Sequence, residues 1–388
     1  MTHVHTAISH ETDSIRAGQA LGSAMRDAFH GAAPDALVVF ASAQHDYAAL
    51  LGTLADEAGT EIIVGASSAG EFVNGERGEG RVCAMGIRSD SMRFAIGVGE
   101  GVARDVQAAA RSVVQGFQGT QSQPLPCRSA LVMTDALAGH TDPLVEELTL
   151  ATGGDYRFFG GGAGDDGRFQ QTHVFAGRTA RSDAVVALEI LSARPVGVGV
   201  AHGWVPAGEA MRVTEARGNL LVSLNGTPAV HMFQEHAELT GQRLDLKDPL
   251  PFFLHNVIGI RAGDGHRLRV PLAVQEDGAI LCAAAVPEGA VVHIMKTDAA
   301  SAVLAARKAS SEAVRALGGA RAAAGFVFDC VATRLRLGRE FENELDACAR
   351  VLEPAGFVGC NTYGQIARAE GQFSGFHNCT AVVCVLPE

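Results

Sequence analysis

Two short polar stretches contain residues that could hold a small ligand. Asp165 and Asp166 follow a run of glycines, and Asn361, Thr362 and Tyr363 lie between two glycines near the C-terminus. Carboxylates can orient an amine or a metal ion, whereas amide and hydroxyl groups can orient a small polar ligand. Turn chemistry is the alternative, because Asp and Asn side chains often bond to their own backbone in loops. The sequence alone leaves both interpretations open.

Evidence for catalysis is sparse. The chain has neither a G-x-S-x-G nor an H-E-x-x-H motif, which are local signatures of serine hydrolases and zinc peptidases. Asp135 and His140 follow a predicted strand, although His140 also belongs to a segment that could cap a helix. A lyase or hydrolase that uses Asp135, Asp165 and Cys330 is the enzymatic alternative. We expect a protein that is not an enzyme.

A glycine pattern recurs along the chain and indicates an internal repeat. Gly65, Gly160 and Gly359 each follow a short apolar run, and another glycine comes four or five residues later. The gap between the second and third copies is about twice the gap between the first two, which predicts a further copy midway. Gly259 has the expected position and spacing. We therefore predict four copies, in which each glycine ends a strand and opens a tight loop.

The elements around these glycines predict the fold class. Apolar periodicity gives a helix over 13–29, a strand over 36–40, a helix near 47–54 and a strand over 61–64. The same order returns twice further along the chain, with a hairpin expected between strands 81–87 and 92–98. The prediction is an α/β protein of duplicated αβαβ units with mixed sheets and hairpins, in two pseudo-equivalent domains. We place these domains at residues 1–217 and 218–388.

Composition excludes several classes of partner. The formal charge of −12 and the lack of a basic cluster argue against nucleic acid and anionic membrane surfaces. No apolar run approaches the roughly 20 residues that span a bilayer, and the polar N-terminus does not resemble a signal peptide. We therefore expect a cytoplasmic protein that does not associate with membranes.

The eight cysteines show no C-x-x-C pair or metal-ligand spacing, so buried thiols are expected rather than a disulfide framework. Cys330 ends one predicted strand, and Cys360 follows the next predicted strand of the same unit. They would reach one sheet edge if these strands are adjacent and parallel.

Three stretches resemble the FIST sensory proteins, with an N-terminal and a C-terminal FIST domain in tandem over nearly the whole chain. They are Val64–Glu71, Gly160–Asp166 and Phe357–Ile366. The resemblance implies a cytoplasmic module that senses small ligands, for which amino-acid-like ligands have been proposed. One stand-alone branch of similar length binds haem, senses nitric oxide and regulates a partner histidine kinase. The present chain would likewise signal through a partner.

If this resemblance extends to haem, the chain must supply an axial ligand, which is usually a histidine in an apolar pocket. His255 lies within the apolar stretch 251–258 and is the first candidate, followed by His236 and then His231. His231 and His236 share a predicted helix but point about 140° apart, so only one of them can face a given pocket. Ordinary core or surface histidines are the alternative.

The sequence thus predicts a sensor that binds haem, with iron held by one of these histidines, senses nitric oxide and regulates a histidine kinase. The alternative is a haem-free sensor of an amino-acid-like metabolite that uses the polar glycine loops.

Overall fold

The computed structural model describes residues 1–121, 125–368 and 374–388. Three units follow one another along the chain, and each runs strand, helix, strand, helix, strand, hairpin, strand. The first unit comprises β1 (Thr2–Ser9), α1 (Ser14–Ala28), β2 (Ala36–Ser42), α2 (Tyr47–Ala58), β3 (Ile63–Ser68), the hairpin β4 (Glu71–Val73) and β5 (Glu76–Gly78), and β6 (Val82–Ser89).

The second unit repeats this order. It comprises β7 (Met92–Glu100), α3 (Val106–Gln115), β8 (Cys127–Thr134), α4 (Thr141–Ala151), β9 (Arg157–Gly162), the hairpin β10 (Val174–Ala176) and β11 (Thr179–Arg181), and β12 (Ala184–Ser192).

The third unit starts with β13 (Gly197–Ala201) and is then interrupted by an inserted subdomain. This insert comprises β14 (Val205–Pro206), β15 (Met211–Arg217), β16 (Leu220–Leu224), β17 (Thr227–Pro228), α5 (Ala229–Thr240), α6 (Leu250–Phe253), β18 (Val257–Ala262), β19 (Gly265–Arg269), β20 (Pro271–Val274), β21 (Ile280–Cys282) and β22 (Val291–Lys296). The unit then resumes with α7 (Ala299–Arg315), β23 (Ala322–Cys330), α8 (Val331–Leu337), α9 (Phe341–Leu352), β24 (Phe357–Thr362), the hairpin β25 (Gln365–Arg368) and β26 (Ser374–His377), and β27 (Ala381–Pro387).

Local sequence explains where the first helix of each unit begins. Asp13, Asp105 and Asp298 stand directly before these helices, and each side chain accepts a hydrogen bond from a backbone N–H three residues later. A capping carboxylate of this kind satisfies one of the free amides of the first turn and complements the helix dipole. The same signal therefore starts α1, α3 and α7.

The three units exchange their hairpins in a ring. The sheet of the first unit has the order β1-β6-β2-β3 and is extended by β10-β11 of the second unit. The second sheet, β7-β12-β8-β9, is extended by β25-β26 of the third unit, and the third, β13-β27-β23-β24, by β4-β5 of the first. Each sheet is mixed, because β2–β3, β8–β9 and β23–β24 pair parallel whereas the other neighbouring strands pair antiparallel. The units consequently cannot separate without breaking strand pairing.

Apolar residues from the inner faces of the three sheets form one central core, which includes Phe40, Phe159 and Phe326. Helices cover the outer faces and form a separate apolar layer for each unit. Burial on both faces accounts for the continuous apolar runs of the central strands.

Gly65, Gly160 and Gly359 occupy equivalent positions within β3, β9 and β24. A Cβ atom would lie 1.7 Å from the carbonyl oxygen of Val39 at Gly65, and 2.0 Å from the equivalent oxygens at Gly160 and Gly359. The close approach of the neighbouring parallel strand thus requires glycine at each position. The sequence correctly identified the repeat, but these glycines lie inside strands instead of opening loops.

The fold-class prediction of an α/β protein with duplicated units and mixed sheets is confirmed. The predicted fourth copy at Gly259 is wrong: β18 pairs antiparallel with both β19 and β22, and a Cβ at Gly259 would meet the side chain of Met295. The predicted hairpin over 81–98 is also wrong, because β6 and β7 belong to different sheets. In both cases the local sequence was typical of the predicted element, but the strands paired with partners that the local sequence does not indicate.

The insert forms its own antiparallel sheet, with strand order β19-β18-β22-β15-β16-β21-β20 and with β14 and β17 at its sides. Arg269 joins this sheet to the rest of the protein, because its buried guanidinium pairs with Asp142 of α4 and donates to the carbonyl oxygen of Phe376 at 3.1 Å. Within the described residues, none of the helices is both long enough and apolar enough to span a bilayer.

Candidate functional site

The carboxyl ends of β3, β9 and β24, with the residues that follow them, meet at a junction. The backbone N–H of Asn361 donates to the carbonyl oxygen of Gly70 at 2.8 Å, and that of Tyr363 donates to Gly162 at 3.0 Å. Backbone hydrogen bonds thereby join segments from all three units. Open α/β sheets tend to bind ligands at the carboxyl ends of their parallel strands. A ligand-binding site is therefore expected near this junction.

Asp165 anchors the loop that follows β9. Its carboxylate accepts hydrogen bonds from the backbone N–H groups of Phe169, Gln170 and Gln171 at 2.6–2.9 Å and from the hydroxyl of Tyr363. Burial opposes its charge, but these hydrogen bonds outweigh burial and hold the pKa of Asp165 below its ordinary value. Burial and the neighbouring Asp165 raise the pKa of the Tyr363 hydroxyl. The arrangement fits the loop-anchoring interpretation of Asp165.

Asp166 points towards the first unit. One carboxylate oxygen accepts from the Ser42 hydroxyl at 2.9 Å and from the backbone N–H of Ala43 at 3.1 Å. The other oxygen is buried without a hydrogen-bond partner, and burial raises the pKa of this carboxyl. Thr362 is buried and donates to the carbonyl oxygen of Asp329 at 3.3 Å. Asp166 and Thr362 therefore support the junction from different sides.

Two cavities flank this junction. The first, which we call the arginine pocket, lies between the exchanged hairpin of the first unit and helices α8 and α9 of the third. Its free volume is about 560 Å³, including the part open to solvent, and it is lined by Glu71, Phe72, Arg77, Gly78, Glu79, Arg334, Phe341, Glu342 and Asn361.

Positive charge lies inside the arginine pocket and negative charge lies at its rim. Arg334 is almost buried and pairs with Glu79, whose side chain is 72% exposed. Arg77 donates to Glu342 at 2.9 Å, and Glu342 is 64% exposed. Because exposed carboxylates are well solvated, these ion pairs contribute little energy and can be exchanged for other anions.

Two buried donors of this pocket have no hydrogen-bond partner. They are the side-chain amide nitrogen Nδ2 of Asn361 and the Nε of Arg334, and both residues line the cavity. Leaving a buried donor unsatisfied costs about 1–3 kcal/mol. A ligand that accepts hydrogen bonds from both groups would recover this energy.

Glu71 adds a buried carboxyl to the wall of the pocket. Burial raises its pKa to about 8, even though the Ser68 hydroxyl and the backbone N–H of Arg81 both donate to it. Glu71 is therefore largely protonated near neutral pH and does not offset the two arginines.

The second cavity is an apolar cleft between the insert and the third unit. Its free volume is about 580 Å³, including the part open to solvent, and it is lined by Ala136, Leu137, Phe169, Leu250, Leu254, Val270, Leu272, Ala283, Cys330, Val331, Ala332, Leu335, Tyr363 and Asn378. The rings of Phe169 and Tyr363 stack at 4.3 Å between centroids and form part of its wall. Leu137, Phe169 and Leu335 are each more than 40% exposed around it.

None of the three candidate histidines is among the residues that line either cavity. His236 is buried and its Nε2 lies 3.1 Å from Oδ1 of Asn256. His231 is exposed on α5. The expected apolar setting of His255 is wrong, because its side chain is exposed while the neighbouring Phe252 and Phe253 are buried.

These positions do not fit haem held in the apolar cleft by one of the predicted histidines. Haem binding therefore stays a prediction from the sequence.

The residues of the enzymatic alternative, Asp135, Asp165 and Cys330, each make their own contacts. Asp135 accepts hydrogen bonds from the backbone N–H groups of Leu137 and Asp183 and from a threonine hydroxyl. Asp165 binds its own loop, and the thiol of Cys330 contacts another cysteine. β23 and β24 are adjacent and parallel, but Cys360 pairs with Phe328 inside the sheet and does not reach its edge.

The sequence interpretation included Asn361 but missed Arg77 and Arg334. Arg334 had a usable signal, since it follows the carboxyl end of the predicted strand that stops at Cys330. Arg77 had none, because it reaches the pocket only through hairpin exchange between units.

Comparisons with known proteins agree with the sequence resemblance. The FIST N domain model matches residues 35–227 and the FIST C domain model matches residues 229–368. No curated protein matches the chain.

Among solved structures, cyanuric acid hydrolase from A. caulinodans is 9% identical with a TM-score of 0.33, covering 100% of this chain and 99% of that one. T. maritima PurL complexed with ADP is 12% identical with a TM-score of 0.24, covering 100% of this chain and 71% of that one. These scores are too low to support a functional argument.

Proposed function

Because the chain belongs to the FIST family, whose domains are signal-transduction sensors for small ligands, we propose that it senses a small metabolite carrying a carboxylate. The arginine pocket is the proposed binding site. The single observation that carries this proposal is that Asn361 and Arg334, which line one cavity, each have a buried side-chain donor without a hydrogen-bond partner.

A carboxylate suits this pocket for two reasons. Its oxygens accept hydrogen bonds from both unpaired donors, and arginine binds carboxylates through parallel N–H groups. The ligand would take the place of Glu79 at Arg334 and of Glu342 at Arg77, whose exposed carboxylates return to water. An amino-acid-like metabolite is therefore the favoured class of ligand, without haem.

Signalling would follow from the position of the pocket between units. The hairpin β4–β5 belongs to the first unit, whereas Arg334 and Asn361 belong to the third. A ligand that bridges them would favour one relative arrangement of these elements. We propose that a cytoplasmic partner protein, such as a histidine kinase, recognises this arrangement.

A thermal-shift screen with amino acids and small dicarboxylates tests the proposal. At least one compound should raise the melting temperature with a saturable concentration dependence. Arg334→Lys and Asn361→Leu should weaken binding at least about tenfold. Arg178→Lys should not, because Arg178 forms an exposed ion pair with Glu61 and is not among the residues that line the pocket. Equal binding by all three variants would contradict the assignment of the pocket.

Haem binding with nitric oxide sensing is a separate proposal that rests on the sequence resemblance. It is tested by an absorption spectrum of protein purified from haem-supplemented cells. A Soret band that is lost in His255→Ala, His236→Ala or His231→Ala would support it, and the absence of a band after reconstitution would reject it.

A further inference from the structure

Cys330 and Cys379 belong to one buried apolar cluster beside the apolar cleft. Each side chain influences the pKa of the other. Strand register explains why they are close. β23 and β27 run antiparallel with Phe328 opposite Val382, so the same register brings the end of β23 to the segment that precedes β27. Neither cysteine forms a disulfide in this structure.

The two thiols differ in character. The hydrogen bond from Cys379 outweighs burial and lowers the pKa of Cys330, whereas the same hydrogen bond, together with burial, raises the pKa of Cys379. Thiolate is the nucleophilic form of cysteine. Cys330 is thus suited to attack first, and it also lines the apolar cleft that opens to solvent.

The other cysteines lack this combination. Burial raises the pKa of each of them, and they are Cys83, Cys127, Cys282, Cys348, Cys360 and Cys384. Among these six, Cys127 is the one whose side chain is not fully buried. Exposure alone therefore favours reaction at Cys127, whereas nucleophilicity favours reaction at Cys330. An experiment that identifies the modified cysteine separates the two explanations.

We propose that Cys330 and Cys379 form a thiol–disulfide exchange site, which a low-molecular-weight disulfide reaches through the apolar cleft. The Cys330 thiolate attacks one sulfur of the disulfide RSSR, and the S–S bond breaks with release of RS⁻, which takes up a proton. Cys379 then loses its proton and its sulfur attacks Sγ of Cys330, which expels the second RS⁻. Two protein thiols are oxidised to one disulfide, while RSSR is reduced to two RSH.

The disulfide would restrain a functional helix. Cys330 directly precedes α8, which carries Arg334 of the arginine pocket, and Cys379 lies just before β27. Oxidation would therefore tie the start of α8 to the central sheet of the third unit.

The test uses the full chain with glutathione disulfide, followed by alkylation of the remaining thiols and peptide mass spectrometry. The wild type should lose the free thiols of Cys330 and Cys379 together and yield their peptides cross-linked. Cys379→Ser should retain glutathione on Cys330, because no second thiol is present to displace it. Cys330→Ser should show neither product, and Cys127→Ser should behave as the wild type.

One result in the wild type alone would overturn the proposal, so it does not depend on the folding of any variant. If Cys330 and Cys379 remain open to alkylation while Cys127 acquires glutathione, exposure rather than the paired thiols controls reactivity. A Cys379→Ser protein that carries no more glutathione on Cys330 than on Cys127 would overturn it equally. A dithiol reductant should restore both free thiols of the wild type.

Discussion

Glu71 and Gln365 occupy equivalent positions in the first and third units, at the start of the exchanged hairpins. Each side chain hydrogen-bonds to the hydroxyl three residues earlier, Ser68 for Glu71 and Thr362 for Gln365. The third unit therefore shows that a neutral amide fits where the first unit has a carboxyl.

This equivalence predicts that Glu71→Gln gains stability relative to the wild type as pH rises. The pKa of Glu71 is raised from 4.5 to about 8 by burial, so between these values the unfolded state is ionised while folded Glu71 stays protonated. Wild-type stability therefore falls with rising pH in this range, by about 1.4 kcal/mol per pH unit at most. Denaturant unfolding at pH 5 and pH 8 should show a difference that is larger at pH 8. A difference that does not change with pH would contradict a buried neutral Glu71, and the exposed Glu238→Gln is the control.

Asp165→Asn should have the opposite pH dependence. Because hydrogen bonds hold the pKa of Asp165 below its ordinary value, its stabilising contribution is present above about pH 4 and is lost as pH falls through the folded-state pKa. We expect the variant to be about 1–3 kcal/mol less stable than the wild type at pH 7. The gap should close in acid unfolding measurements, and a gap that widens instead would be inconsistent with an ionised Asp165.

At the scale of elements, the three equivalent glycines give the sharpest prediction. Alanine at Gly65, Gly160 or Gly359 places Cβ against a carbonyl oxygen of the adjacent strand, so each variant should lose about 3 kcal/mol or more. Gly52 in α2 has no atom within 4 Å of an added Cβ. Gly52→Ala should therefore gain about 0.5–1 kcal/mol. Thermal unfolding of the four variants compares them directly, and similar melting temperatures would refute the close-approach explanation.

Local sequence predicted most elements of the three units because caps and periodicity act over a few residues. Asp13 and the apolar face of 13–29 gave α1, and the runs before Gly65 and Gly359 gave β3 and β24. Pairing could not be predicted in this way. The exchange of hairpins and the antiparallel setting of Gly259 depend on contacts between residues that are distant in sequence.

At the scale of the whole molecule, Arg269 should control how firmly the insert is held. Its buried guanidinium contacts α4 and the third unit, so Arg269→Met removes a charged pair while retaining much of the side-chain volume. Hydrogen exchange should accelerate in β19–β21 and change little in the first unit. Arg217→Met, which removes an exposed ion pair within the insert, should leave the exchange rates unaltered. Equal effects of both variants would contradict the role of Arg269 in holding the insert.

The arginine pocket is formed by residues from two units, so the sequence alone identified only one part of it, Asn361. Asn361 was recognisable from its place beside the glycines. Arg77 and Arg334 are separated by most of the chain and become neighbours only because the first unit lends its hairpin to the third sheet.

The most direct test of the proposed sensor is a calorimetric titration of the best carboxylate ligand into three proteins. If the ligand displaces Glu79 from Arg334, Glu79→Gln should bind more tightly than the wild type, by about fivefold at most, since the competing but exposed carboxylate is gone. Arg334→Met should bind at least about tenfold more weakly. This order of affinities is the result that the arginine pocket predicts; unchanged affinity in both variants would contradict it.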